Sequence, residues 1–285
     1  MSLITKFDPW EGNLCTCPVK YSLSAYTGCN HGCLYCYASS YIRNFSQPRE
    51  KKDFLKRLEK EIIKIPKGSL VSMANSSDPY LPLEKKLNLT QSALRIIGKY
   101  DLSLNIVTKS SLILKDFEIL KKLQKIVVTI SLTTLNEELA RKLEPNSSLP
   151  QDKLEAIKKL SQHLPVAIRL DPLIYPLNTE TIEETISEIK KSGAKQIITS
   201  TYKIKPDNFK RMLSSFPEYE ELWQELYSKQ GEKKSGYTYL PLSLRKKLIS
   251  KVREITLGEK LKFSSCREGF NDLNTANCDG SSIFL

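Results

Sequence analysis

Three cysteines within eight residues are the groups in this chain best equipped to do chemistry. Cys29, Cys33 and Cys36 follow the order Cys-x3-Cys-x2-Cys. A loop of that spacing can wrap three thiolates around one corner of an iron–sulfur cube. Three ligands for four irons leave one iron open, and an open metal position is where a substrate or cofactor can coordinate. A cluster built only for electron transfer would want a fourth thiolate nearby, yet the next cysteine after Cys36 is Cys266. The bland readings are a structural zinc site or buried apolar thiols. Zinc usually brings a second knuckle or histidines, and the chain has only His31 and His163.

Seven cysteines in all leave four outside that loop: Cys15, Cys17, Cys266 and Cys278. Bringing them together would close the two ends of the chain over the mouth of the fold. Three readings stay open. They could hold a second, auxiliary iron–sulfur cluster with full thiolate ligation, or a four-thiolate zinc site. They could also be free thiols, with Cys266 or Cys278 as a hydrogen-atom donor.

The elements that must position these residues alternate along the chain. Residues 21–26 read as a strand that delivers the cysteine loop. Further strand-like runs fall at 69–74, 104–108, 126–132, 166–170 and 196–200, with helical stretches near 90–99, 115–124, 150–162, 179–192 and 206–214. Residues 50–64 form a helix with Phe54, Leu55, Leu58, Ile62 and Ile63 inward. Six β/α units predict an α/β fold, a partial (β/α)6 TIM-type barrel, open because six units are too few to close eight strands. Residues 1–20 are read as an N-terminal segment, 21–205 as the barrel and 206–285 as a helical C-terminal extension.

In such a fold the active groups lie at the C-terminal ends of the strands. The cysteine loop directly follows strand one. Strand two ends in Asn75, Ser76, Ser77 and Asp78, strand three in Thr108, Lys109 and Ser110. Strand four brings Ser131, Thr133 and Thr134, strand five Arg169 and Asp171, and strand six Thr199, Ser200 and Thr201. Any one of these could be a cap or turn residue. Their recurrence at successive strand ends points to a site for a charged cofactor.

The cysteine spacing, with aromatic Tyr35 just before the last cysteine, resembles the radical S-adenosylmethionine superfamily. The context from Tyr21 to Ala38 resembles its spore photoproduct lyase–like branch, whose members are often labelled DNA repair photolyases. Ser77-Asp78-Pro79-Tyr80-Leu81-Pro82-Leu83-Glu84 is similar to that branch's TDPYQPxE stretch, Thr108-Lys109-Ser110 to its TKS and Leu143-Glu144-Pro145 to its LEP. The likeness runs over about residues 18–205. It implies the partial-barrel fold and a 4Fe–4S cluster whose open iron is chelated by S-adenosylmethionine. Reductive cleavage then gives a 5′-deoxyadenosyl radical that abstracts hydrogen from a substrate. It also implies that Ser76, Ser77 and Asp78 lie beside the methionyl end of the cofactor. Lys109 would meet the carboxylate, Ser131 would hydrogen-bond the cofactor, Tyr35 would pack by adenine, and Arg169 joins the same set. One departure matters. Photoproduct-reversing members carry a hydrogen-donating cysteine just before the strand-two aspartate, where this chain has Asn75 and Ser76. Photoproduct reversal would need another thiol.

A formal net charge of +12 favours a polyanionic partner, and nucleic acid is the obvious one; the rival explanation is a Lys/Glu-rich surface of ion-pair networks. Arg245, Lys246, Lys247, Lys251 and Arg253 read as a basic face on a helix over 241–257, after a helix over 217–229. Residues 229–239 read as a flexible loop mixing lysines with Tyr237 and Tyr239, suited to backbone contact and base stacking. No apolar run approaches the roughly 18 residues of a membrane span, and the start does not read as a signal peptide, so a cytoplasmic protein with no membrane partner is expected. The reading is thus a radical enzyme acting on nucleic acid and fed by a donor such as ferredoxin or flavodoxin. Its rivals are the same chemistry on a peptide, protein or small metabolite, and a non-catalytic nucleic-acid-binding module with structural metal.

Overall fold

The computed structural model describes residues 2–7, 14–73 and 76–284. Seven parallel strands follow one another across one sheet in chain order: β1 (Tyr21–Leu23), β2 (Leu70–Met73), β3 (Ser103–Thr108), β4 (Ile126–Ser131), β5 (Val166–Leu173), β6 (Gln196–Thr201) and β7 (Lys262–Ser265). A short strand, Thr5–Lys6, pairs antiparallel with β1 at the edge. Among the described residues no ladder joins β1 to β7, so the barrel is open. The longer helices are α1 (Phe54–Ile62), α2 (Leu89–Ile97), α3 (Pro150–Ser161), α4 (Ile182–Lys191), α5 (Pro206–Ser215) and α6 (Leu242–Gly258).

Strand alternation splits the interior in two. Val128, Ile130, Ile168, Leu170 and Ile197 join the main core, whereas their neighbours Val127, Ala167 and Ile198 form a second cluster with Cys278 and Ile283 of the C-terminal tail. Burial on both faces is why β4 carries Ile126, Val127 and Val128 in succession rather than alternating with polar residues. The tail threads into the concave side. Asn105 Nδ2 donates to the carbonyl of Asp279 at 2.7 Å, and Gln196 Nε2 donates to that of Asn277 at 2.7 Å. Lys20 and Asp279 pair at 2.9 Å with both side chains buried, tying the two ends of the chain together. Gly280 makes the turn at φ +81°, where a Cβ would meet the Val127 side chain at 3.2 Å.

The expected partial barrel is present, with one more parallel strand than six units supply. Residues 262–265 (Lys-Phe-Ser-Ser) carry a single apolar side chain, so no strand pattern marks them; they pair in register with β6, with α6 as the crossover. Three local expectations are corrected. Ile63 is exposed rather than inward, because α1 ends at Ile62. Residues 229–239 are not a loose loop: Glu232–Lys234 and Tyr237–Tyr239 form a hairpin turned by Ser235 and Gly236, both at positive φ. Period-two alternation then sends Tyr237 and Tyr239 inward together, so neither is an open stacking platform. Arg245 leaves the basic face of α6. It is fully buried and donates to the carbonyls of Leu240 and Glu268 and to the Glu232 carboxylate. Arg253 turns back to the Leu273 carbonyl, leaving Lys246, Lys247 and Lys251 exposed. Among the described residues no helix is long and apolar enough to cross a membrane.

Candidate active site

The three-cysteine loop leaves the C-terminal end of β1, and its backbone is tied down on every side. Gly28 opens it at φ +86°, with the Phe45 carbonyl oxygen 2.6 Å from where a Cβ would stand. Only glycine tolerates both that angle and that approach. Cys29 N donates to Phe45 O at 2.7 Å, Leu34 N to Leu143 O at 2.9 Å, and Asn146 N to His31 O at 3.0 Å. The outgoing half is held by α5. Asn208 Nδ2 donates to Tyr35 O at 3.0 Å, and Arg211 donates to the carbonyls of Leu34 (3.0 Å) and Cys36 (2.7 Å). Asp207 anchors Arg211 at 3.0 Å and accepts from Ser39 at 2.8 Å. Asp207, Asn208 and Arg211 carry no motif and lie beyond residue 205, in the stretch expected to be a C-terminal extension. Their one signal is the helix-starting Pro206 just past β6.

Cys29, Cys33 and Cys36 are each half-buried; Cys36 N donates to Cys33 O at 3.1 Å, and among the described residues no thiol of the three hydrogen-bonds another. Burial pushes the Cys29 thiol up to about 12, and burial with the nearby Glu144 carboxylate raises Cys33 further. A metal must therefore displace protons to bind here.

Asp78 sits behind the loop. Its Oδ1 accepts from Tyr80 N (2.8 Å) and Thr108 Oγ1 (2.7 Å), and its Oδ2 from Lys109 N (2.7 Å). His31 Nε2 stands 3.2 Å from Oδ2, while its Nδ1 meets Asn146 O at 3.0 Å. Burial opposes the charge on both partners, but each holds the other ionised: His31 is raised and Asp78 lowered. Its oxygens join the cysteine loop to the ends of β2 and β3, which makes it a brace.

Glu144, which the sequence reading quoted without a role, is the hub. This buried carboxylate pairs with Lys109 at 3.1 Å and Lys153 at 2.8 Å. It also accepts from Thr133 Oγ1 at 2.6 Å, from Ser147 Oγ at 2.9 Å and from the Tyr35 hydroxyl. Burial would raise its pKa, but the two lysines hold it well below the usual carboxylate range. Lys109 lies 5.3 Å over the Tyr35 ring. One carboxylate against two ammonium groups leaves surplus positive charge at the mouth. Tyr35 is spent on Glu144 through its hydroxyl and is buried, so it orders the loop from within.

Ser76 is half-buried and Ser77 buried, the Ser77 hydroxyl having no hydrogen-bond partner among the described residues. Asn75 lies outside the described residues. Ser131 closes β4 directly opposite Arg169 of β5. Arg169 donates to Asp171 Oδ2 at 2.6 Å, and Asp171 Oδ1 accepts from Ser200 at 2.6 Å. Arg169 also lies beside Cys266. Cys17 Sγ and Cys278 Sγ are 3.5 Å apart, with Cys15 and Cys266 as their neighbours. The two ends of the sequence thus meet on the concave side of the sheet.

Comparison with known proteins bears on this geometry. The model of the radical SAM superfamily matches residues 23–202. The chain is 32% identical over 149 residues to an uncharacterized protein of Methanocaldococcus jannaschii, covering 50% of this chain and 56% of that one. It is 28% identical over 194 residues to an uncharacterized protein of Acidianus two-tailed virus, covering 61% and 63%. The chain therefore spans less than two thirds of the length of either relative. An uncharacterized protein of Mycobacterium tuberculosis is 24% identical over 260 residues, covering 84% and 74%. Among solved structures, spore photoproduct lyase with bound AdoMet and dinucleoside spore photoproduct superposes with a TM-score of 0.69 at 17% identity, covering 90% of this chain and 79% of that one. Streptococcus suis SuiB bound to precursor peptide SuiA gives 0.57 at 17%, covering 86% and 48%. At these identities the likeness is one of fold. The family match runs from β1 through β6 and contains the three-cysteine loop, and the chain belongs to the radical S-adenosylmethionine superfamily, enzymes whose cofactors are a 4Fe–4S cluster and S-adenosylmethionine.

Proposed function

We propose that this radical S-adenosylmethionine enzyme acts on nucleic acid, with Cys29, Cys33 and Cys36 as the cluster ligands. The residues suit that cofactor pair. Three thiols stand apart on a rigid loop, the unpartnered Ser77 hydroxyl lies near by, and Lys109 leaves positive charge at the strand ends. Ser76, Ser77, Ser131 and Arg169 are the polar groups available to hold S-adenosylmethionine, with Lys109 for its carboxylate. When bound, the pair supplies reductive cleavage of the sulfonium and a 5′-deoxyadenosyl radical that takes a hydrogen atom from substrate. The chain's own part is to fix the loop, keep water out and present the substrate.

One observation carries the substrate class: an aromatic and cationic rim beside the loop. Tyr37 directly follows Cys36 and is 37% exposed, and Tyr41 is 44% exposed. The Tyr37 ring meets Tyr237 edge-on at 5.4 Å, and Lys205 and Arg267 lie 4.6 and 5.1 Å from the Tyr237 ring. One Arg267 nitrogen is buried without a partner among the described residues. Exposed rings beside fixed cations suit a stacked base and a phosphate. A base drawn from a duplex would have to be extruded to reach the loop. The basic surface equally suits docking of an acidic one-electron donor such as ferredoxin or flavodoxin, and a cluster with free thiols suits a reducing cytoplasm.

The test is anaerobic. Reconstituted, dithionite-reduced protein should form 5′-deoxyadenosine from S-adenosylmethionine, and the Cys33→Ala variant should not. Binding to single-stranded oligonucleotides should fall steeply with added salt. Cleavage without salt-sensitive binding would keep the enzyme class and overturn the substrate.

A further inference from the structure

We propose that Cys15, Cys17, Cys266 and Cys278 form a closed four-thiolate site for a single zinc ion, inside the barrel and separate from the three-cysteine loop. The four sulfurs arrive from opposite ends of the sequence, as Cys15-x-Cys17 and Cys266-x11-Cys278. Cys17 Sγ and Cys278 Sγ are 3.5 Å apart, with Cys15 neighbouring Cys17 and Cys266 neighbouring Cys278.

The spacing selects the metal. Zinc–sulfur bonds of about 2.3 Å in a tetrahedron place neighbouring sulfurs about 3.8 Å apart. Cys17 and Cys278 stand at 3.5 Å. In an iron–sulfur cube each thiolate binds a different iron, so its sulfurs lie well beyond contact. The same molecule displays the contrast: Cys29, Cys33 and Cys36 make no thiol–thiol hydrogen bond among the described residues, whereas Cys17 and Cys278 are in contact. Among the described residues no three ligands yet surround one point, so ligation requires the Cys15 and Cys266 side chains to turn inward.

The surroundings suit a buried anionic centre. Cys17, Cys266 and Cys278 pack against Val127, Ala167 and Ile198. Lys20 lies beside Cys17 and Arg169 beside Cys266, each cation paired with a carboxylate, Asp279 and Asp171 respectively. Donors of this kind orient thiolate ligands and offset their charge. Binding is a plain exchange: four S–H protons leave to solvent, four S–Zn bonds form, and nothing is oxidised or reduced. Four protein ligands leave no open position, so the ion staples the two chain ends to the concave side of the sheet. It also withdraws Cys266 and Cys278 from any role as hydrogen-atom donor.

The deciding experiment removes the other metal site. The Cys29→Ala/Cys33→Ala/Cys36→Ala variant, produced with zinc and iron both supplied and purified without oxygen, should retain about one zinc per chain and only background iron. Cobalt substituted into the triple variant should show thiolate charge-transfer and tetrahedral d–d bands that vanish when Cys15→Ser/Cys17→Ser is added. Iron with labile sulfide in the triple variant would overturn the proposal in favour of a cluster. Four freely alkylated thiols, or a Cys17–Cys278 disulfide, would overturn it outright. If the added Cys15→Ser/Cys17→Ser does not fold, the cobalt spectrum of the triple variant decides alone. None of these readings depends on S-adenosylmethionine cleavage or on nucleic-acid binding, so the two proposals fail separately.

Discussion

Arg211 Nη2 donates to the carbonyl oxygen of Cys36 at 2.7 Å. A helix with no motif of its own thereby fixes the last thiol of the cysteine loop, and a second donation from Arg211 fixes Leu34 at 3.0 Å. Charge-assisted bonds of this kind contribute about 1.5–3 kcal/mol. Arg211→Met should leave a folded protein that binds less iron on reconstitution and loses it faster to a chelator. Arg211→Lys, with a point charge in place of a fork, should recover only part of this. Wild-type iron retention in Arg211→Met would remove α5 from the site.

Gly28→Ala tests the loop from its other end. The added Cβ would stand 2.6 Å from the Phe45 carbonyl oxygen at φ +86°. Left-handed strain alone costs about 1–3 kcal/mol, and the close approach adds to it. Cluster content, read from the visible absorption of reconstituted protein, should fall sharply. A variant with full cluster content would show that the loop is looser than its hydrogen bonds imply.

Glu144→Gln leaves Lys109 and Lys153 without their shared carboxylate, and Lys153 is buried. Breaking a buried ion pair from one side costs about 3–5 kcal/mol. Urea unfolding of the apo-protein should show a loss of that size. The double change Glu144→Gln/Lys153→Met should recover part of it, because the stranded charge is gone. An equal loss in both would assign the effect to packing.

Asp207 gives the acid limb of stability. Burial would raise its pKa, but hydrogen bonds from Ser40, Arg211 and Ser39 more than offset this, so it is lowered from 3.8. A depressed carboxylate contributes stability that is present above the unfolded value of 3.8 and is lost as pH falls through the lower folded pKa. In apo-protein, Asp207→Asn should flatten the pH dependence of the urea midpoint below about pH 4 and leave the neutral range parallel to wild type. An unchanged acid limb would mean the group is solvated.

Tyr37→Ala and Tyr41→Ala should weaken single-stranded oligonucleotide binding by about 1–3 kcal/mol for each stacked base lost. Formation of 5′-deoxyadenosine without substrate should stay near wild type, since neither ring is braced to the cysteine spacing. Unchanged affinity in both variants would take the rim out of substrate recognition.

What the sequence determined by itself was chemistry set by local spacing. Cys29, Cys33 and Cys36 lie close enough along the chain that any fold must keep them together. The alternation of β1 to β6 with helices is a periodicity that hydrophobic burial enforces residue by residue. Tertiary structure alone decided what depends on meetings between distant segments. Asp78 braces the cysteine loop because Thr108, Lys109 and His31 converge on it. Glu144 became a hub because Lys109, Lys153 and Tyr35 reach it from three directions. β7, with one apolar residue in four, is a strand only because β6 offers it an open edge. Arg245 is buried, against the usual habit of arginine, because Glu268 and Glu232 lie within its reach. Seven cysteines could be counted from the sequence, but only folding set Cys17 3.5 Å from Cys278 across 261 residues. Such a contact has no sequence period to betray it, since loop closure over that distance depends on every intervening strand being in place.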